Sequence, residues 1–414
     1  MRLLHVVPSY LPAWQHGGPI RSVHGLCRAL AARGHDVTVF TTDTDLHGRV
    51  PTDRSVEIDG VNVRYFRVRG PRRLYWAPAL RNALRRQIGG VDVVHLHSVF
   101  LWPTAAAAKA ARDARVPYLL APRGMLVMDL LHRRGALRKK LWLRLVERAA
   151  LAGASALHVT SDLEADDARR LAGELRLPLP PMALLPNGVD EETDPADGIL
   201  APEVTAALAR SPVALFLGRL SWKKGLDRLI AAIARVPSVT LVLAGGDEEG
   251  IRPRLQALAR RAGVAERVIF LGAVEGADRA ALLHRATIVA LTSYSENFGN
   301  VVLEAMAAAT PVLVTPEVGL AAEVRRLGAG IVAPGDAAGL ASALQSLLDD
   351  SAARSEMGRR GLAAVRARYG WDRVAVAAEQ IYAEQLRSAG RQPHAPTRLE
   401  TGGSPLPIPS NHQL

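Results

Sequence analysis

The chain has 414 residues, 49% hydrophobic and 22% charged, a composition that fits an ordinary globular protein of two domains and excludes a low-complexity or fibrous one. Its formal charge of +12 is uneven: residues 1–190 carry 28 Lys and Arg against 16 Asp and Glu, whereas residues 191–414 carry 24 of each. A single cysteine, Cys27, excludes an internal disulfide or cysteine-based metal cluster, and no apolar run approaches the roughly eighteen residues of a membrane span.

In chain order, short apolar segments at 2–7, 37–42, 61–68, 91–95, 118–121, 157–160 and 183–185 read as strands. The first begins after only Met1 and Arg2, which leaves no signal peptide, so a cytoplasmic protein is expected. Helical patterns separate most of these strands: 22–33 ends at Gly34, a C-cap signal, and 105–114 is alanine-rich. Cys27 falls in the first of them and is expected to pack there. This βαβ rhythm predicts a doubly wound parallel sheet. After Asn187-Gly188 an acidic, proline-containing stretch without periodicity places an interdomain linker at 190–211. The rhythm then repeats with strands at 213–217, 240–244, 268–271, 288–292, 312–315 and 331–332. The expected architecture is α/β, with Rossmann-like domains at 1–189 and 212–370. Gly370-Trp371-Asp372 opens a last helix at 371–387, and the Pro-, Gly- and Ser-rich tail at 388–414 is expected to be disordered.

Two clusters account for the basic first half: Arg64, Arg67, Arg69, Arg72, Arg73, Arg81, Arg85 and Arg86 around Tyr75-Trp76, and Arg133, Arg134, Arg138, Lys139, Lys140, Arg144 and Arg148 around Trp142. Basic residues interleaved with aromatics suit an anionic membrane surface, and no nucleic-acid partner is expected.

The residue patterns with chemical content lie at strand-to-helix turns. The first strand is followed by Pro8 to Pro19, which includes His16-Gly17-Gly18; glycines there let backbone approach a ligand, and a plain surface loop is the alternative. The strand at 213–217 is followed by Gly218-Arg219 and Lys223-Lys224-Gly225, fixed cations at the end where open α/β sheets bind ligands, or else a solvated cluster. An arginine fork and a lysine point charge suit a diphosphate. In Ser293-Tyr294-Ser295-Glu296-Asn297-Phe298-Gly299-Asn300-Val301-Val302-Leu303-Glu304, two carboxylates eight residues apart flank a loop-to-helix turn. Free amides and the dipole at a helix N-terminus favour an anion, and carboxylates on either side accept hydroxyls well. His95 and His97 are placed at and just beyond a strand end, either as hydrogen-bonded structural histidines or as a catalytic base. No metal-ligand spacing is evident, so neither metal nor cofactor is expected.

The Gly17-Gly18 loop, Arg219 with Lys224-Gly225, the Glu296/Glu304 pair and Pro334-Gly335-Asp336 occur in the order found in family-four retaining glycosyltransferases of the GT-B fold, and residues 1–387 resemble that family. Pro122-Arg123-Gly124-Met125-Leu126 and the stretch around His95 to Pro103 resemble its branch that builds bacterial surface polysaccharides. The resemblance implies two Rossmann-like domains facing across a cleft, the last helix returning to the first domain, and transfer of a hexose-type sugar from a nucleoside-diphosphate sugar to a lipid-linked or polysaccharide acceptor, without a metal and with peripheral membrane association. It implies that Arg219 and Lys224 hold the diphosphate, Glu304 the ribose, and Glu296 the transferred sugar with the backbone of Asn297, Phe298 and Gly299. Amides of Asn300 and Val301 meet the distal phosphate, Gly18 closes over the diphosphate, and the base lies near Gly245 and 270–274, including Val274. Glu296, Arg219 and Lys224 are the residues expected to govern turnover. His16, His97 and Arg123 are the acceptor-side candidates. The alternatives are a soluble acceptor, as in sugar-phosphate or sucrose-type synthases, and a catalytically silent nucleotide-sugar-binding subunit. Two departures stand out: Arg123-Gly124 replaces a histidine found in many relatives, leaving Arg123 with either a substrate contact or a structural role, and Ala309 stands where relatives usually have glycine. A left-handed Ala309 costs about 1 kcal/mol.

Overall fold

The computed structural model describes residues 1–13, 18–44, 46, 50–70, 74–127, 141–191, 194–195, 198–210 and 212–394. The chain forms two compact units, Met1–Asn187 together with Trp371–Leu414, and Gly188–Gly370.

The first unit carries strands β1 (Arg2–Val6), β2 (Asp36–Thr42), β3 (Ser55–Ile58), β4 (Val61–Phe66), β5 (Val93–His97), β6 (Tyr118–Ala121), β7 (Ala156–Val159) and β8 (Met182–Leu184) in the order β3-β4-β2-β1-β5-β6-β7-β8. All neighbours are parallel except the β3/β4 hairpin. β3 is absent from the expected strands because only Val56 and Ile58 are buried in it, but its turn has a signature: Asp59 and Gly60 take φ of 50° and 76°, as a primed hairpin turn requires. β5 begins two residues later than expected and ends at His97. Asp92 precedes it, and its carboxylate accepts a 2.7 Å hydrogen bond from the Arg2 amide.

Strand alternation sends Leu4, Val6, Val94, Leu96, Leu120, Leu157 and Val159 to one core, and Leu3, Val7, Val93, Leu119 and Ala156 to the other. The second core is covered by helices Gly18–Ala32 and Trp371–Ser388. The latter buries Val374, Ala375, Ala378, Tyr382 and Leu386. Burying a leucine-sized side chain contributes about 1.5–3 kcal/mol, so this amphipathic helix is a substantial part of the unit's stability. Gly25 lets the two helices meet, since a Cβ there would stand 2.3 Å from the Trp371 ring.

The second unit is an all-parallel sheet of β9 (Val213–Leu217), β10 (Thr240–Ala244), β11 (Val268–Gly272), β12 (Ile288–Leu291), β13 (Val312–Val314) and β14 (Gly330–Val332), ordered β11-β10-β9-β12-β13-β14. β9, β10 and β12 are buried at every position, as strands covered on both faces must be. Residues 202–208, inside the expected linker, form helix Pro202–Leu208, whose Val204 and Ala207 join the core of this unit. Val189 donates to the Tyr369 carbonyl at 2.8 Å, so the segments by which the chain enters and leaves the unit lie side by side.

Candidate active site

In the second unit the C-terminal strand ends are tied together through backbone. Gly218 donates to the Ala244 carbonyl at 2.9 Å, Leu220 to Gly246 at 2.7 Å and Gly245 to Gly272 at 2.6 Å. Gly245 cannot carry a side chain: its φ is 154° and a Cβ would stand 1.9 Å from the Gly218 oxygen. Arg219 is exposed beside this junction, and Val274 is half-buried beyond β11. The same sheet end holds the loop after β12. Tyr294 donates to the Lys223 carbonyl at 2.7 Å, and Arg228 donates to the Thr292 and Ser293 carbonyls at 2.8 and 2.5 Å. These contacts bring Lys224 and Glu296 into a half-buried ion pair, although 72 residues separate them.

Residues 296–298 are held from the other side as well. The Glu296 amide donates to the Glu317 carbonyl at 3.0 Å, and Gly319 and Leu320 donate to the Glu296 and Phe298 carbonyls at 2.9 and 3.1 Å. Gly299, at φ 93°, then turns the chain into helix Asn300–Ala307, with Asn300 and Val301 in its first turn. The helix presents Glu304 to Arg279, 2.5 Å away on helix Gly276–Arg285. The sequence reading missed Arg279; its signal was an arginine four residues before Leu283, on a helix face otherwise made of small and apolar residues. Two residues beyond helix Asn300–Ala307 lies Ala309, whose φ of 55° is left-handed. Gly358 packs against it, and a Cβ on that glycine would stand 1.9 Å from the Ala309 oxygen.

In the first unit Gly18 is the first residue of its helix, while His16 and Gly17 lie outside the described residues. His95 and His97 are not at and beyond a strand end: both lie within β5 and are buried. Period-two alternation puts them on the same sheet face, and the register sets His5 opposite His95. His5 Nδ1 is 3.0 Å from His97 Nε2; His95 is 2.8 Å from the Tyr382 hydroxyl and 2.9 Å from His158 Nδ1, and His158 Nε2 reaches the Leu185 carbonyl at 2.8 Å. Burial first, and then the Arg123 charge, lowers the pKa of His5 to about 3. Burial likewise brings His158 to about 3 and holds His95 and His97 well below the usual histidine range. The four rings are therefore neutral near pH 7.

Nitrogens of His5, His95 and His97 lie within 4.8 Å of one another. A cation is nevertheless disfavoured, because both His95 nitrogens have partners and the Arg123 guanidinium is 3.2 Å from His97 Nδ1. Arg123 also donates to Asn187 Oδ1 at 2.7 Å. His5, His158 and Asn187 had no role in the sequence reading; a histidine of inward parity in an otherwise apolar strand was the available signal for the first two.

Residues 202–363 match the family model described as "Glycosyl transferases group 1", and residues 17–188 match that described as "Glycosyl transferase 4-like domain". A glycogen synthase of Mycobacterium tuberculosis is 32% identical over 95% of this chain and 97% of its own length. A D-inositol 3-phosphate glycosyltransferase of Xylanimonas cellulosilytica is 32% identical over 90% and 92%. Among solved structures, Anabaena HepE in complex with UDP-glucose superimposes with a TM-score of 0.69 at 23% identity, covering 94% of this chain and 100% of that one, a likeness of fold. Domain matches in both halves and full-length relatives on a two-sheet α/β architecture establish that this chain belongs to the group 1 glycosyltransferases of the GT-B fold.

Proposed function

We propose that the second unit binds a nucleoside-diphosphate sugar and that the chain transfers its hexosyl group with retention of configuration. The observation that carries this reading is the meeting of Lys224 with Glu296 beside the N-terminus of helix Asn300–Ala307, with Glu304 one turn further along. In the free protein Glu296 neutralises Lys224. An arriving diphosphate takes over Lys224 and the helix amides, with Arg219 at the same sheet end, and leaves the Glu296 carboxylate to accept hydroxyls of the sugar. Glu304 accepts the ribose hydroxyls, and the base sits against the backbone at Gly245 and 270–274. As the glycosidic bond breaks, negative charge grows on the diphosphate, where Arg219, Lys224 and the amides stabilise it. Such donors contribute about 3–4 kcal/mol each when they act on developing charge.

For the acceptor, the proposal is a lipid-linked or polysaccharide chain of a bacterial surface glycan, met at an anionic membrane. Support comes from the basic first half and from Trp76, Leu141 and Leu145, which are 41%, 57% and 70% exposed. Arg72, Arg73 and 133–140 of the basic clusters lie outside the described residues. No described helix is long and apolar enough to cross a membrane. A soluble acceptor is the second reading, favoured by the activities named for the glycogen synthase and inositol-phosphate relatives. A thermal-shift panel of nucleoside-diphosphate sugars, led by UDP-glucose, tests the donor reading, because a ligand selective for the folded state raises its melting temperature. No shift with any member contradicts it. Flotation with anionic vesicles at low salt supports the membrane reading, and its absence favours the soluble acceptor.

A further inference from the structure

Arg123 has a chemistry that the rest of its unit does not use. It follows β6 at the C-terminal end of the sheet, and its φ of 56° is left-handed although it is not a glycine. Its fork is held by two neutral partners, Asn187 Oδ1 and His97 Nδ1, and its Nε is buried with no hydrogen-bond partner. Among the described residues no carboxylate lies within ion-pair distance of it. Glu164 acts on it from further away, but the Glu164 oxygens are taken by the Gly124 amide and by the amide and hydroxyl of Thr160, each within 2.7–2.8 Å. The imidazoles beside it are neutral. A cation withdrawn from water without a counter-charge and a strained backbone are two costs that a purely structural arginine has no reason to carry. Arg123 as a whole residue is half-buried, with its Nε enclosed.

We propose that Arg123 is an anion receptor that binds a phosphate- or carboxylate-type group of a substrate through its preorganised guanidinium fork. The inference deepens the glycosyltransferase reading and rests on it: the anion is a charged group on the acceptor. Asn187 and His97 fix the plane of the fork, so the bidentate geometry is prepaid before the anion arrives.

Thermal unfolding of the full chain with added sodium phosphate at constant ionic strength tests this. The wild type should show a saturable rise in midpoint, and Arg123→Gln should lose it or require about tenfold more phosphate, as expected for one lost charge-assisted contact. Lys224→Ala should lose the response to UDP, and with it any share of the phosphate response that Lys224 supplies, while the share that depends on Arg123 remains, as the double variant Lys224→Ala/Arg123→Gln shows by losing both. Arg123→Gln without phosphate should melt no lower than the wild type, because it removes an uncompensated charge; a structural arginine would give a lower midpoint. Arg123→Lys keeps the charge without the fork and supplies the same comparison if the glutamine variant does not fold. A response that persists under saturating UDP supports an acceptor group as the anion, and one abolished by UDP overturns that assignment. Equal responses in wild type and Arg123→Gln, or none in either, overturn the proposal. If Lys224→Ala leaves UDP binding intact while the Arg123 response stands, the donor-site reading falls and the anion receptor does not.

Discussion

The two units treat charge in opposite ways. In the second, opposite charges from distant segments are paired, Lys224 with Glu296 and Arg279 with Glu304. In the first, four buried histidines are kept neutral around an arginine that has no carboxylate within ion-pair distance among the described residues. Paired charges in the second unit are stable without ligand, and each pair leaves acceptor oxygens for hydroxyls. In the first unit burial disfavours the protonated histidines, so protonation there costs stability. On the proposed reading, the difference separates a site arranged to exchange one ionic partner for another from a site that gains its counter-charge from outside.

The largest expected effect breaks the second unit's pairing. Lys224→Ala and Glu296→Ala should each lower transfer by about a hundredfold or more while the protein still folds, as for removal of a group that acts on transition-state charge. Steady-state kinetics with circular dichroism checks this, and turnover like that of the wild type in either variant removes these residues from the site. Next in size, Arg279→Met should free the Glu304 carboxylate and weaken nucleotide binding by about tenfold, since a charge-assisted hydrogen bond is worth about 1.5–3 kcal/mol. The loss should shrink with a 2′-deoxy nucleotide if Glu304 holds the ribose; equal losses for both nucleotides disconnect Arg279 from that role.

The first unit should be the more sensitive to acid. A histidine whose folded pKa is depressed binds protons more tightly in the unfolded chain, so its contribution is intact above the unfolded value near 6.5 and is lost as pH falls toward 3. Each such group costs up to about 1.4 kcal/mol per pH unit within that window. Hydrogen exchange at pH 7 and pH 5.5, corrected for intrinsic rates, should show loss of protection in β1, β5 and β7 before β9, β10 and β12. Simultaneous loss would show that the histidines do not set the acid response. The smallest effect belongs to the second unit: Ala309→Gly should stabilise it by at most about 1 kcal/mol by relieving the left-handed alanine, measurable by urea unfolding.

Much of the fold was legible because buried parallel strands such as β9 and β10 are continuous apolar runs bounded by turn residues. β3 was not, since two buried positions in a four-residue strand give no periodicity, and helix Pro202–Leu208 was hidden by the acidic segment before it. In the candidate site, the places of Glu296, Lys224 and Glu304 beside strand-to-helix turns were legible from motif spacing, because each follows from one such turn. Arg279 and the histidine chain could not, because their meaning depends on register between distant elements: His5 opposes His95 only after β1 pairs with β5. The left-handed conformation at Ala309 was foreseeable as a missing glycine.

The most direct test of the donor site is hydrogen–deuterium exchange on the full chain with and without saturating UDP. The account predicts added protection in 218–225 and 296–304, with the segment 270–274 following. Protection absent from those segments while UDP is bound elsewhere would contradict it.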